Sequence, residues 1–197
     1  RVPFLLAGPL GLIGFYVRRK LEDSPEFTAI KRSGTTARSP IRSAMRGKEN
    51  LRRMAAAAAF GMPTFVGYYI LMTFMPSFFR TELGFTQAQA LWAVAAAASV
   101  HVLVIPLTGR LADRIGRTRV LTLTCGAFLL LSYPSFALLT SGSLTGSVLG
   151  MMMLALPSAA GMGNYLSASM EQFPTRTRYT GFALTLGVCT CIFSGTA

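Results

Sequence analysis

Gly109-Arg110-Leu-Ala-Asp113-Arg114-Ile-Gly116-Arg117-Thr-Arg119 separates two apolar runs, 88–109 and 120–140. Each run is as long as the roughly 17–25 residues that a helix needs to cross a bilayer. The stretch between them holds four arginines and Asp113. Basic residues gather in cytoplasmic loops, so this is a short turn on the cytoplasmic side. A chain that reverses in so few residues uses glycine for the tight backbone and for close helix approach. Asp113 lies just before the second run, where a carboxylate complements the positive end of a helix. The neighbouring arginines can pair with it and anchor the turn at the anionic leaflet.

Four more apolar runs flank this pair, at 2–17, 54–79, 147–170 and 179–197. The chain has 197 residues, 52% of them hydrophobic and 13% charged, against roughly 25% charged in an ordinary soluble domain. A soluble globule, a disulfide scaffold and a disordered chain are excluded. The expected fold class is an all-α polytopic membrane protein with six spans. A signal-peptide reading of 1–17 fails, because the basic block Arg18-Arg19-Lys20 follows the apolar run and no small-residue cleavage pattern appears. The chain starts at Arg1 and its last run carries no flanking charge, so a piece of a longer protein is expected.

A formal charge of +12 would suggest nucleic acid in a soluble protein. Its distribution excludes that. Segment 18–53 holds eleven basic and four acidic residues, whereas 80–87 holds only Arg80 and Glu82, and 141–146 has no charge. Segment 171–178 carries Glu171, Arg176 and Arg178. Basic and neutral loops alternate, which places 18–53, 110–119 and 171–178 in the cytoplasm and 80–87 and 141–146 outside.

Segment 18–53 reads as a cytoplasmic basic linker between two membrane blocks, 1–17 and 54–197. Ser24-Pro25-Glu26 has the pattern of a helix start, and Ser39-Pro40 repeats it. Between them, Ser33 to Ser39 is almost free of apolar residues and is expected to be mobile. Ile41, Ala44, Met45 and Leu51 make a weak apolar stripe suited to the membrane surface. Cys125, Cys189 and Cys191 all fall in apolar runs. Positions 189 and 191 are two apart and point to different helix faces, so they cannot chelate one metal. No metal and no cofactor are expected.

Two spans are broken by Gly and Pro. Run 54–79 contains Gly61, Pro63, Gly67 and Pro76; run 147–170, opposed in direction and three spans later, contains Pro157, Gly161 and Gly163. Inverted repeats with such broken helices point to a transporter's substrate path. Thr64 and Tyr68 are four apart, as are Tyr69 and Thr73, so each pair is expected on one helix face. In the later span, Ser158, Asn164 and Ser167 carry the polar atoms. Mid-span tyrosines sit away from the interfacial aromatic belts, which directs them to a cavity or another helix. For Tyr69 and Asn164, solute contact and interhelical hydrogen bonding are both open. The single histidine, His101, shares its depth with no carboxylate, and a neutral, hydrogen-bonded packing role is expected.

The stretch 109–119 resembles the loop signature G-x-x-x-D-R-x-G-R-[RK] of the major facilitator superfamily, carried here by Gly109, Asp113, Arg114, Gly116 and Arg117. It departs at Thr118, with Arg119 one step later. Arg1-Val-Pro-Phe-Leu-Leu with Leu21-Glu22-Asp23-Ser24-Pro25-Glu26-Phe27 resembles the sixth helix and its exit in the metabolite:proton symporter family. Tyr68-Tyr69-Ile-Leu-Met-Thr73-Phe-Met-Pro76-Ser77 is similar to the seventh helix of its proline/glycine-betaine branch. Glu171-Gln-Phe-Pro174-Thr-Arg-Thr-Arg178-Tyr179-Thr-Gly181 resembles the loop between the tenth and eleventh helices. The likeness covers the whole chain, as helices six to eleven of twelve. Where family members often carry an aromatic-Asn pair in helix eleven, this chain has Leu186-Gly187.

The resemblance implies a proton-coupled solute importer of the plasma or inner membrane, in which two six-helix halves rock around a central site. The cytoplasmic loop motif would latch one state. The partners it implies are a small solute, a proton, the lipid bilayer and the missing N-terminal half; no nucleic acid is among them. The solute class, a compact zwitterion such as proline or betaine and next a small carboxylate, comes from the likeness alone. An inactive structural fragment is the other alternative. An enzyme is disfavoured, since no nucleophile–base set stands in the aqueous loops, and neither outer loop is long enough to re-enter as a channel filter.

Overall fold

The computed structural model describes residues 2–20, 41, 45, 47–175 and 177–194. The chain divides into two compact units, Arg1–Arg38 and Ser39–Ala197. In the first, α1 (Val2–Lys20) runs through Pro9 and closes on Arg18, Arg19 and Lys20, cations that suit the negative end of a helix. The Arg19 guanidinium lies 4.7 Å from the Phe15 ring centroid and the Lys20 ammonium 4.8 Å from that of Tyr16. Both basic chains thus fold back over an aromatic ring one turn earlier. The expected helix starts at Ser24 and Ser39-Pro40, and the stretch Ser33 to Ser39, lie outside the described residues.

The second unit contains α2 (Lys48–Tyr69), a π turn (Ile70–Phe74), α3 (Met75–Thr81), α4 (Gln87–Ile115), α5 (Arg117–Leu139), α6 (Leu144–Glu171), α7 (Arg178–Cys189) and a second π turn (Thr190–Ser194). Among the described residues, four helices are long and apolar enough to cross a membrane: Lys48–Thr81, Gln87–Ile115, Arg117–Leu139 and Leu144–Glu171. Arg178–Phe193 is apolar but shorter, and α1 is 19 residues with three basic residues at its end. The six expected spans therefore appear as four long helices and two shorter ones.

The helices outrun the apolar runs. The expected ten-residue turn at 110–119 is a single residue, Gly116, at φ 93°, because Arg, Leu and Ala are good helix formers. Charge ends the membrane-crossing stretch without ending the helix. Asp113 consequently stands in the last turn of α4, not ahead of α5. Gly116 donates its N–H to the Ala112 carbonyl at 2.9 Å and reverses the chain in the left-handed region that an L side chain avoids.

The expected breaks also fall elsewhere. α2 passes through Gly61, Pro63 and Gly67 unbroken and opens only at Ile70–Phe74. Pro76 has no N–H to donate and its ring crowds the carbonyl four residues back; the π turn just before it, closed by Met75 N–H to Ile70 O, supplies the wider spacing. α6 runs unbroken through Pro157, Gly161 and Gly163. Its glycines serve close approach instead. A Cβ on Gly161 would stand 2.7 Å from Thr64 Oγ1, and one on Gly150 would stand 2.6 Å from the Ser135 carbonyl. Membrane helices associate through such packing, because lipid tails are as apolar as the side chains they would displace.

α6 is the axis of the unit. It packs against α2, α4, α5 and α7, and 56% of its apolar stretch is buried, against 22–28% for the other three long helices. Its neighbours run in the directions that the charge pattern predicts. The residue matches 61 with 165 and 64 with 161 make α2 and α6 antiparallel; 101 with 158 and 105 with 163 make α4 and α6 parallel. On α4 the seam is cut from small residues, Ala90, Ala93 and Ala97, all buried, while Trp92, Val102 and Leu103 are exposed. Thr86 and Gln89 form a capping box at the α4 start, and Ser143 caps α6 through Gly146 N–H.

Candidate functional site

Three helices converge on a polar group in mid-span. His101 on α4 is 7% exposed. Its Nδ1 lies 3.1 Å from the Ala97 carbonyl and its Nε2 3.1 Å from Ser158 Oγ on α6. A carbonyl only accepts, so Nδ1 carries the proton; in the neutral ring, Nε2 then accepts from the Ser158 hydroxyl. On the α2 side, the Tyr68 ring meets His101 edge-to-face at 5.9 Å, and Tyr69 meets Tyr68 in the same manner at 5.9 Å. Both tyrosines are half-buried. The hydrogen bonding expected of His101 from the sequence is thus found, and its partners join it to two candidate cavity residues.

The remaining candidates divide. Thr64 is buried under Gly161 and donates its hydroxyl to the Phe60 carbonyl at 2.9 Å, so it packs α2 onto α6. Thr73 is exposed within the π turn. Asn164 is buried, and its amide donates to the Ala160 carbonyl at 2.9 Å within α6. None of these three residues lines the apolar cavity of about 180 Å³ among Pro63, Gly67, Phe128 and Leu154. Among the described residues, no group of three His, Cys, Asp or Glu side chains is placed to hold a metal ion.

At the basic end of the bundle, the two loop motifs meet. Arg117 Nη1 lies 2.9 Å from Glu171 Oε1, joining the start of α5 to the end of α6. Asp113, expected to pair with the arginines beside it, makes no ion pair among the described residues; from the last turn of α4, the partner of Arg117 is Glu171. Gly109 and Arg114 lie in the final turns of α4. In the second motif, Arg178 Nε donates to the Phe173 carbonyl at 3.2 Å, and the Pro174 carbonyl accepts from Thr177 N–H at 2.9 Å.

Sequence reading missed Tyr165. It is fully buried, meets Phe65 edge-to-face at 5.1 Å, and donates its hydroxyl to Cys189 Sγ at 3.8 Å. Its signal was the spacing of four from Gly161, which puts it on the face that α6 turns to α2.

Comparison with known proteins decides the family. The profile described as Major Facilitator Superfamily matches residues 1–196. The chain belongs to this superfamily. Its all-α fold, with several membrane-crossing helices, is part of the superfamily architecture, and it is a multi-pass membrane protein. Similar superfamily members include the glycine betaine/proline/ectoine/pipecolic acid transporter of Dickeya dadantii, 31% identical over 98% of this chain and 40% of its own length. The ectoine/proline transporter of Corynebacterium glutamicum is 27% identical over 100% of this chain and 40% of its own. The proline/betaine transporter of Escherichia coli K12 is 29% identical over 95% and 39%. The chain thus spans about 40% of the length of these curated relatives. No solved structure matches it significantly.

Proposed function

We propose that this chain forms part of a secondary transporter of the cell membrane, a proton-coupled symporter for a compact zwitterion of the proline or betaine kind. The observation that carries the reading is the pair of half-buried tyrosines, Tyr68 and Tyr69, at mid-span on α2. Aromatic faces attract an ammonium group, and phenolic hydroxyls can donate to a carboxylate. A zwitterion presents both. The printed names of the relatives, which specify proline, betaine and ectoine, support the same class.

In this reading the carrier alternates between inward- and outward-open states, and the cytoplasmic contacts around Gly116, Arg117 and Glu171 hold one of them. A group that carries the proton must be ionisable and reachable from a cavity. The described acidic residues of the membrane unit, Glu49, Glu82, Asp113 and Glu171, stand at helix ends, so the proton carrier is assigned to the part of the protein outside these residues. The test is uptake of labelled proline and glycine betaine into proteoliposomes holding the full-length carrier, under an imposed pH gradient. Uptake that a protonophore abolishes supports the reading. Competition by small dicarboxylates but not by zwitterions would replace it with carboxylate transport. Residues 1–197 reconstituted alone are expected to accumulate neither solute.

A further inference from the structure

We propose that His101 is a positioning residue for the solute site, fixing the Tyr68 ring in the orientation in which solute meets it. The inference rests on the zwitterion reading above and deepens it by naming what holds the contact residue. Both ring nitrogens of His101 are engaged, Nδ1 with Ala97 O and Nε2 with Ser158 Oγ, each at 3.1 Å. The imidazole cannot turn about its own axis without leaving a buried nitrogen unpaired, and that loss is costly in a low-dielectric interior. Ser158 is itself 0% exposed, which fixes the far end of the brace.

The third side of His101 is Tyr68. The ring centroids are 5.9 Å apart with planes at 76°, the edge-to-face arrangement that aromatic pairs favour. Tyr69 closes on Tyr68 at 5.9 Å and 80°. Tyr68 is only half-buried, and two ring contacts restrict a side chain that would otherwise sample several rotamers. Restricting it before solute arrives removes an ordering cost from binding. The groups that face His101 are the Ala97 carbonyl on α4, the Ser158 hydroxyl on α6 and the Tyr68 ring on α2. None bears a charge, and the described carboxylates lie at helix ends. The brace is therefore two hydrogen bonds and a ring contact, built for orientation.

The experiment measures proline and betaine uptake by the full-length carrier in proteoliposomes, normalised to inserted protein, for wild type, His101→Leu, His101→Gln, Ser158→Ala and the double variant Ser158→Ala/His101→Leu. Loss of the brace is expected to raise KM about five- to tenfold in His101→Leu, with kcat within about twofold. His101→Gln, which keeps a polar group toward Ser158, should recover most of that loss. Ser158→Ala should raise KM in the same direction, and the double variant should be no worse than His101→Leu, as expected of one linked unit. A merely structural histidine would lower the amount of inserted carrier and leave KM alone; unchanged KM in His101→Leu and Ser158→Ala overturns the inference. Should His101→Leu fail to insert, Ser158→Ala and His101→Gln decide by the same readout. Wild type that transports neither solute overturns the function reading and this inference together, whereas transport with unchanged KM overturns this inference only.

Discussion

Gly161 and Thr64 show how narrowly single atoms set the bundle. The space a Cβ would need at Gly161 is occupied by Thr64 Oγ1, 2.7 Å away, and by Thr64 Cγ2 at 3.2 Å. Gly161→Ala is therefore expected to push α2 from α6 and destabilise the protein by about 1–3 kcal/mol, the usual cost of overpacking. Thr64→Ala in the same chain should restore much of that loss, and thermal unfolding in detergent for the two single variants and the pair measures it. Arg117 and Glu171 sit at the opposite extreme. Their side chains are 33% and 61% exposed, and an exposed ion pair contributes between about 0 and 1 kcal/mol. Glu171→Gln should leave the unfolding temperature nearly unchanged, while the rate of solute uptake falls if the pair holds one transport state. A large drop in stability would show that the pair is structural instead.

At the scale of elements, the reading from sequence succeeded where hydrophobicity alone decides. The runs 88–109 and 147–170 are found inside α4 and α6, and 120–140 lies in α5 but for its last residue, Thr140; the alternation of basic and neutral loops agrees with helix directions read from packing. It failed where backbone geometry or distant pairing decides. Nothing in Arg110–Arg119 disfavours helix except Gly116, so a turn drawn from charge came out nine residues too long. Pro76 was visible, but a proline announces a break without saying whether a kink, a gap or a π turn resolves it. His101 and Ser158 are 57 positions apart, and no local pattern pairs them. The π turn also makes a prediction. In Pro76→Ala the missing N–H returns, the widened turn can close into α-helix, and α3 rotates by about 100° as one residue leaves the turn. Phe79, 0% exposed, would leave its core among Met75, Ala90 and Ala93. The expected result is a protein that still inserts but unfolds earlier, by about 1–3 kcal/mol; unchanged stability would mean that the turn does not depend on the proline.

For the whole molecule, orientation follows from charge and is directly measurable. The turns after α3 and α5 carry few or no charges, whereas the ends that meet at Gly116 and Glu171 are basic. Single cysteines introduced at Thr81 and Ser143, in a background lacking the three native ones, should react with a membrane-impermeant maleimide from outside intact cells. Reaction only after the cytoplasmic side is opened would invert the topology. Asp113→Asn, on the opposite side, is expected to slow uptake more than it weakens solute affinity, since Asp113 lies beside the α4–α5 reversal and far from Tyr68.

The central place of α6 also has a consequence for how the protein is made. Helices leave the ribosome in chain order, and α6 emerges after α2, α4 and α5. Until Leu144–Glu171 is synthesised, the alanine seam of α4 and the Ser135 face of α5 lack their principal neighbour, and the earlier helices wait in the lipid as loosely associated segments. A nascent chain stalled after Leu139 should be an open target for the proteases that survey the membrane, and one extended through Glu171 should abruptly escape them.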